Sequence, residues 1–158
     1  MKINFVIILF LSIALFTTTV RAQSSDEIAI RQTLDAMRPV FEKHDLNTFS
    51  GFFKNSPDLY YQIITIDHQV IQAHGYENMK KMIGGYFQSV PVAATPSPYK
   101  TTDSRIRING NTALVTEGND VNGDLSLHLV ALEKIAGSWK ITAFSGQEYK
   151  PGTLMEVK

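Results

Sequence analysis

A glutamate and a histidine occupy matching positions in two neighbouring predicted strands near the C-terminus. Glu117 and Asn119 hold alternate positions of the first strand, and His128 alternates with leucines in the second. Residues two apart along a strand point to the same face, so these side chains are predicted to share one face. Glu117 and His128 can then hydrogen-bond as a general base and the group that orients it. The alternative is a cross-strand polar pair at a solvated pocket mouth or on the outer face.

Other common catalytic and metal-binding patterns do not occur in the sequence. The four histidines, at positions 44, 68, 74 and 128, show neither H-x-x-x-H nor H-x-H spacing, and the chain has no cysteine. There is no G-x-S-x-G motif and no phosphate-binding loop. We interpret His44 as a helix-junction residue, and His68 and His74 as turn or rim residues. Neither a metal nor a cofactor is expected.

The strands that position Glu117 and His128 belong to a series of hairpins in the C-terminal third of the chain. Turn signals at Asn109-Gly110, Asn122-Gly123 and Ala136-Gly137 divide residues 101–149 into consecutive runs of strand-forming residues. Asn-Gly is a strong hairpin signal because both central residues of a tight turn need positive φ. The sequence therefore predicts an antiparallel meander.

Three helices and a short hairpin precede the meander. Ser24 and Glu27 form a capping box ahead of apolar residues at helical spacing, which predicts a helix to residue 43, kinked or ended at Pro39. Further elements are predicted at 46–53 (helix), 59–66 and 70–73 (strands) and 76–90 (helix), with a proline-rich loop at 91–98. This order predicts an α+β domain with three N-terminal helices packed on a curved antiparallel sheet.

The N-terminal segment has the three parts of a signal peptide. Lys2 precedes an apolar run that ends at Phe16, and Val20-Arg21-Ala22 is a small-residue cleavage site. We expect a signal peptide at 1–22, one domain at 23–150 and a tail at 151–158, with export to the periplasm or the medium. A permanent anchor is the alternative, but the run is shorter than the roughly 20 residues of a membrane span.

Composition limits the partners of the exported chain. Removing the first 22 of 158 residues leaves 136, the size of one domain. Lys2 and Arg21 leave with the signal peptide, so 13 basic residues face 15 acidic ones and the net charge becomes −2. Binding to nucleic acid would need a basic stripe and is not expected. Without cysteine the domain has no disulfide and depends on an ordinary core. No membrane association is expected after cleavage.

The order of elements and three short motifs resemble the NTF2-like superfamily, a cone-shaped α+β fold that includes SnoaL-like polyketide cyclases and ketosteroid isomerases. The motifs are His44-Asp45 between the first two helices, Gly75 before the third, and the turn over 136–141, which reads AGSWKI. The resemblance covers about residues 26–149. The most similar group is the secreted SnoaL-like, or DUF4440-like, proteins.

This resemblance implies a ligand pocket between the helices and the concave sheet face, and homodimerisation through the outer face. Together with strand alternation, it predicts that the pocket is lined by Tyr61, Met79, Glu117, Asn119, His128, Thr142 and Phe144. A register slip of one residue would turn the strand residues outward. With an ordinary pKa of about 6.5, His128 would make ligand affinity change between roughly pH 5 and 8.

The positions that carry catalysis in ketosteroid isomerases hold apolar residues here. Met37 corresponds to the family's tyrosine, Ile63 to its base, and Leu129 or Val130 to its second aspartate. A thioether cannot donate a hydrogen bond, and an alkyl group cannot take a proton. The isomerase mechanism is therefore not expected unless the chemistry has moved to other residues.

The sequence leaves three functions open. The first is an exported domain that binds a small, largely apolar molecule or a partner in its cone. The second is a SnoaL-like or isomerase-type enzyme that performs acid–base chemistry on a carbonyl compound with Glu117 and His128. The third is a structural dimer whose cone is filled by Met37, Met79 and Phe87. The apolar isomerase positions favour the first function, and the polar pocket residues keep the second open.

We predict that the exported protein begins near Gln23 and is soluble. N-terminal sequencing of protein recovered from the periplasm or medium checks this. A membrane-bound protein that retains residues 1–16 would contradict the prediction.

Overall fold

A computed structural model describes residues 24–95 and 98–151 as three helices packed on a six-stranded sheet. The elements are α1 (Ser25–Glu42), α2 (Leu46–Ser50), β1 (Tyr60–Ile64), β2 (Val70–His74), α3 (Tyr76–Ser89), β3 (Tyr99–Asn109), β4 (Thr112–Val121), β5 (Asp124–Ile135) and β6 (Ser138–Tyr149). The sheet order is β2-β1-β6-β5-β4-β3. Neighbouring strands are antiparallel, except that β1 and β6 are parallel. The predicted α+β architecture is confirmed, with one parallel pair that the sequence did not indicate.

The predicted signal peptide, Gln23 and residues 152–158 of the predicted tail lie outside the described residues. Within the described ranges, no helix has the length and apolar character that crossing a membrane requires.

The first helix begins as its capping box predicts but does not end at its proline. The Ser24 hydroxyl accepts a hydrogen bond from the Glu27 amide at 3.1 Å. The helix continues through Pro39 to Glu42. Proline removes one backbone donor, but the rest of this turn remains helical, and the Lys43 amide donates to Pro39.

Trp139 is buried in the core and contacts the first turn of α1. Its side chain is 4 % exposed. The indole Nε1 donates to Asp26 Oδ1 at 3.3 Å, and Lys134 Nζ donates to the same oxygen at 2.6 Å. The first turn of α1 is thereby tied to the β5–β6 hairpin, as well as packed against the core through Ile30.

Two irregularities curve the sheet and disturb strict alternation. Register shifts occur between Thr101 and Asp103 in β3 and between Ala131 and Leu132, opposite β6. In the second, Ala131 pairs with Ala143 and Leu132 with Ile141, so Thr142 is left as the extra residue. Such bulges bend a strand and increase its twist.

Two of the three hairpin turns lie at the predicted residues, and the first is shifted by one residue. Asn122 and Gly123 have φ of 56° and 94°, and Ala136 and Gly137 have 48° and 83°. Both pairs therefore fit tight turns that need positive φ at two positions. The first turn comes one residue later than predicted, because its loop is Gly110-Asn111 and Gly110 alone has positive φ in that pair.

Replacing Trp139 with alanine should lower the free energy of unfolding by about 3–5 kcal/mol, because a buried aromatic ring is removed from the core. Trp139→Phe should cost less, since it retains most of the packing and loses the hydrogen bond to Asp26. Urea denaturation measures both variants. A loss below about 1 kcal/mol for the alanine variant would contradict the described packing.

Candidate functional site

The inner face of the sheet carries a polar patch above an apolar floor. Ser104, Glu117, His128 and Gly146 are successive register partners across β3, β4, β5 and β6. The adjoining row, formed by Ile106, Val115, Val130 and Phe144, is apolar. We call the following six residues, which lie towards the Asn122-Gly123 end of the sheet, the inner polar cluster: Tyr99, Thr101, Glu117, Asn119, Ser126 and His128.

Asn119 is the centre of a hydrogen-bond chain through this cluster and is only 1 % exposed. The Tyr99 hydroxyl donates to Asn119 Oδ1. Asn119 Nδ2 lies 3.2 Å from His128 Nδ1, and His128 Nε2 lies 3.3 Å from the Ser126 hydroxyl. An amide nitrogen can only donate, so Nδ1 accepts and Nε2 carries the proton that is donated to Ser126. The chain of bonds therefore specifies one tautomer of His128.

His128 is held as a neutral ring. Burial lowers its pKa to about 4, and the positive charge of Arg38 contributes in the same direction. Gly146 leaves room for the ring, because a Cβ at that position would lie 3.3 Å from His128 Cδ2 and 2.8 Å from Ile63 Cδ1. A histidine with this pKa stays largely neutral between pH 5 and 8, which removes the basis of the pH dependence predicted from an ordinary histidine.

Glu117 is half-buried and, among the described residues, forms no ion pair. Burial raises its pKa above the usual value, and the negative charge of Asp35 raises it further. Hydrogen bonding to Asn119, the charge of Arg31 and hydrogen bonding to Tyr99 oppose this shift. The carboxyl group is therefore easier to protonate than an exposed glutamate.

The predicted base–orienter pair of Glu117 and His128 does not form as expected. The two residues are direct register partners on the inner face. However, Asn119 and Ser126 engage both ring nitrogens of His128. The imidazole is therefore oriented by Asn119, a predicted pocket residue for which no such role was expected.

A charged stripe on α1, formed by Arg31, Asp35 and Arg38, covers the cluster and was not among the predicted site residues. Arg31 Nη1 donates to the Ser104 hydroxyl at 3.1 Å, and the Arg38 guanidinium lies 3.7 Å from the centre of the Tyr99 ring. Asp35 lies between these arginines on the helix. The spacing of these charged residues indicates that they share one helix face. The sequence does not indicate that this face lies over β3.

Of the remaining predicted pocket residues, three lie in the hydrophobic core below the inner polar cluster and one lies elsewhere. Tyr61, Met79 and Phe144 are buried in the hydrophobic core, with the rings of Tyr61 and Phe144 stacked at 5.2 Å. Thr142 does not join them, because the bulge takes it out of alternation and its hydroxyl donates to the Ala131 carbonyl at 3.2 Å. It lines a separate open cavity of about 250 Å³ beside Lys54 and Glu133.

The other histidines have structural surroundings. His44 stacks on Phe87, with ring centroids 4.5 Å apart. His68 lies in the β1–β2 turn with φ of 65°. His74, on the edge strand β2, contacts the ring of Tyr60 on β1. Across the described ranges, no three histidine, cysteine, aspartate or glutamate side chains are grouped so that they could hold a metal ion.

Of the residues at isomerase positions, Met37 and Ile63 pack against the core, Val130 is buried and Leu129 faces outward. Met79 is fully buried in the core, and Phe87 is partly buried and packs against the core cluster.

Solved structures of low sequence identity share this architecture. An NTF2-like protein with a cystatin-like fold from Novosphingobium aromaticivorans gives a TM-score of 0.60 at 13% identity, over 97% of this chain and 94% of its own. An NTF2-like protein of unknown function from Pseudomonas putida gives 0.61 at 13%, over 87% and 99%. A proposed dehydratase of the NTF2-like family from Streptomyces avermitilis gives 0.60 at 17%, over 78% and 95%. No protein-family profile and no curated protein sequence matches the chain.

Acid should destabilise the protein through His128. Unfolded His128 takes a proton below about pH 6.5, whereas the folded ring takes one only near pH 4. Folding stability should therefore fall as pH drops through this window, by roughly 3 kcal/mol in full. Urea denaturation at pH 7 and pH 4 should show a smaller loss for His128→Gln than for the wild type. Parallel pH profiles for the two proteins would contradict a buried neutral ring.

Proposed function

Since the chain has the NTF2-like fold, we propose that it binds a small, largely apolar molecule on the concave sheet face, with the polar end of that molecule at Glu117. The supporting observation is a half-buried carboxyl group without an ion-pair partner among the described residues. Burying such a group is unfavourable, and carboxyls with a raised pKa are concentrated at functional sites.

The surroundings of Glu117 match the composition of a small-molecule site. Such sites are mostly apolar, with a few convergent polar groups that fix the orientation of the ligand. Here the row below Glu117 is apolar and includes Phe144, and Ile63 continues the row of Glu117 on β1. The inner polar cluster supplies the polar groups at one end.

A purely structural role for the inner face is less consistent with this chemistry. A filled cone would be more stable with apolar residues at 117, 119 and 128, because each buried polar group needs a partner. Met37, Met79 and Phe87 do pack in or against the core. They leave unexplained why polar residues occupy these three positions.

Acid–base catalysis is the second candidate, and the raised pKa of Glu117 favours it. A carboxyl group whose pKa is closer to neutrality exchanges protons more effectively at physiological pH. The Streptomyces protein of the same fold is a proposed dehydratase, and elimination of water needs a base and an acid. Neutral His128 would not serve as a cationic acid, so this candidate assigns both roles to Glu117, whose carboxylate takes the proton from carbon and then returns it to the leaving hydroxyl group.

We also propose export and homodimerisation. The signal-peptide pattern of residues 1–22 supports export. Leucines 114, 127 and 129, which are exposed on the outer face of β4 and β5, support a dimer through that face.

Titration with steroid-like and aromatic carbonyl compounds tests the binding proposal. We expect amide chemical-shift changes around Glu117 and His128, and weaker binding by Glu117→Gln. Glu133→Gln is the matched control, because it makes the same change on β5 beside the separate cavity. Turnover that is lost in Glu117→Gln would favour the enzyme, and binding without turnover would favour the binder. No shift at either residue, or equal effects of both variants, would contradict the proposal.

A further inference from the structure

One nitrogen of Arg31 is buried without a hydrogen-bond partner in the described part of the chain. Its two terminal nitrogens are used, since Nη1 donates to the Ser104 hydroxyl and Nη2 donates to Glu27 Oε1, both at 3.1 Å. Nε has no partner among the described residues. A buried donor without a partner carries a free-energy cost. A ligand can remove this cost by accepting a hydrogen bond from the donor.

This donor is a neighbour of Glu117. Ser104, which binds the Arg31 head group, is the register partner of Glu117 in the β3–β4 ladder. Side chains directly opposite each other in an antiparallel pair have Cβ atoms roughly 5 Å apart. The Arg31 guanidinium and the Glu117 carboxyl group therefore lie over adjacent residues on the same face.

Asn119 and His128 already have hydrogen-bond partners within the cluster. Asn119 accepts from the Tyr99 hydroxyl and donates to His128, whose second nitrogen meets Ser126. Two groups keep capacity for a ligand, because a carboxylate has about four acceptor sites and Glu117 can accept further hydrogen bonds beside those from Asn119 and Tyr99. One is a donor, the N–H of Arg31 Nε, and the other is an acceptor, the carboxyl group of Glu117.

The charges around these two groups disfavour a negative ligand. Arg31 and Arg38 each pair with a glutamate of their own helix, Glu27 and Glu42. Asp35, on the same helix face, adds a second carboxyl group close enough to influence Glu117. A carboxylate end would be repelled by Asp35 and Glu117. An ether or ketone oxygen would satisfy the donor alone, and an amine would satisfy the acceptor alone.

We infer that the ligand presents a neutral hydroxyl group between Arg31 Nε and Glu117, accepting from the first and donating to the second. This inference rests on the binding site proposed above and specifies the chemical class of its ligand. A single hydroxyl group can accept from the unpaired Arg31 Nε and donate to a remaining acceptor site of Glu117 without adding charge. Selectivity follows because an analogue without the hydroxyl hydrogen cannot donate to Glu117, and a carboxylate is repelled by Glu117 and Asp35.

Three naphthalenes that differ in one substituent test this inference: 2-naphthol, 2-methoxynaphthalene and 2-naphthoate. Calorimetric titration of the wild type at pH 7 should show 2-naphthol binding about tenfold or more tightly than either analogue. The preference should fall to about threefold or less in Arg31→Lys and in Glu117→Met, which each remove one of the two groups. Arg105→Lys, an exposed arginine on the outer face of β3, is the matched control and should keep the preference.

The wild-type comparison is decisive even if a variant fails to fold. Equal affinities, accompanied by amide shifts around Glu117 and His128, would overturn the hydroxyl inference and leave the proposed binding site intact. Tightest binding of 2-naphthoate would overturn it in favour of an anion site. A preference that survives in both Arg31→Lys and Glu117→Met would also overturn it. No binding and no shifts with any of the three probes would count against both this inference and the site.

Discussion

A carboxyl group placed inside a sheet without a matched cation is energetically unfavourable, and the surroundings of Glu117 show how the chain accommodates one. Desolvation and the charge of Asp35 raise its pKa, so part of the cost is relieved by easier protonation. Arg31 is nearby but is held by Glu27 and Ser104. Glu117 thus remains available, which a purely structural ion pair would not allow.

The fold supplies the rigid frame for this group. Asn119 fixes the tautomer of His128, and burial keeps that ring neutral, so the cluster presents a defined pattern of donors and acceptors. Long arginine side chains from α1 reach β3, whereas the helix backbone lies close to α2 and β6. The arginine side chains therefore bridge the distance between α1 and the inner polar cluster.

Local patterns predicted most of the fold and part of the site. Turn chemistry and alternation placed Glu117, Asn119 and His128 on one face, because these signals act over a few residues. Thr142 was misplaced because a bulge in β6 breaks alternation and has no clear mark in the sequence. The role of Asn119 depends on a diagonal contact with His128 across one hairpin, and the approach of Arg31 and Arg38 to β3 depends on contacts between residues far apart in the chain. The parallel pairing of β1 with β6 has the same origin.

The most direct measurement is the pKa of Glu117 in the ligand-free protein, obtained by following its side-chain carboxyl carbon by NMR across a pH titration. A half-buried carboxyl facing Asp35 predicts a midpoint above 4.5 in the wild type and a lower midpoint in Asp35→Asn. A wild-type midpoint at or below 4.5, unchanged by Asp35→Asn, would show that Glu117 is solvated and remote from α1. That result would contradict the site described here.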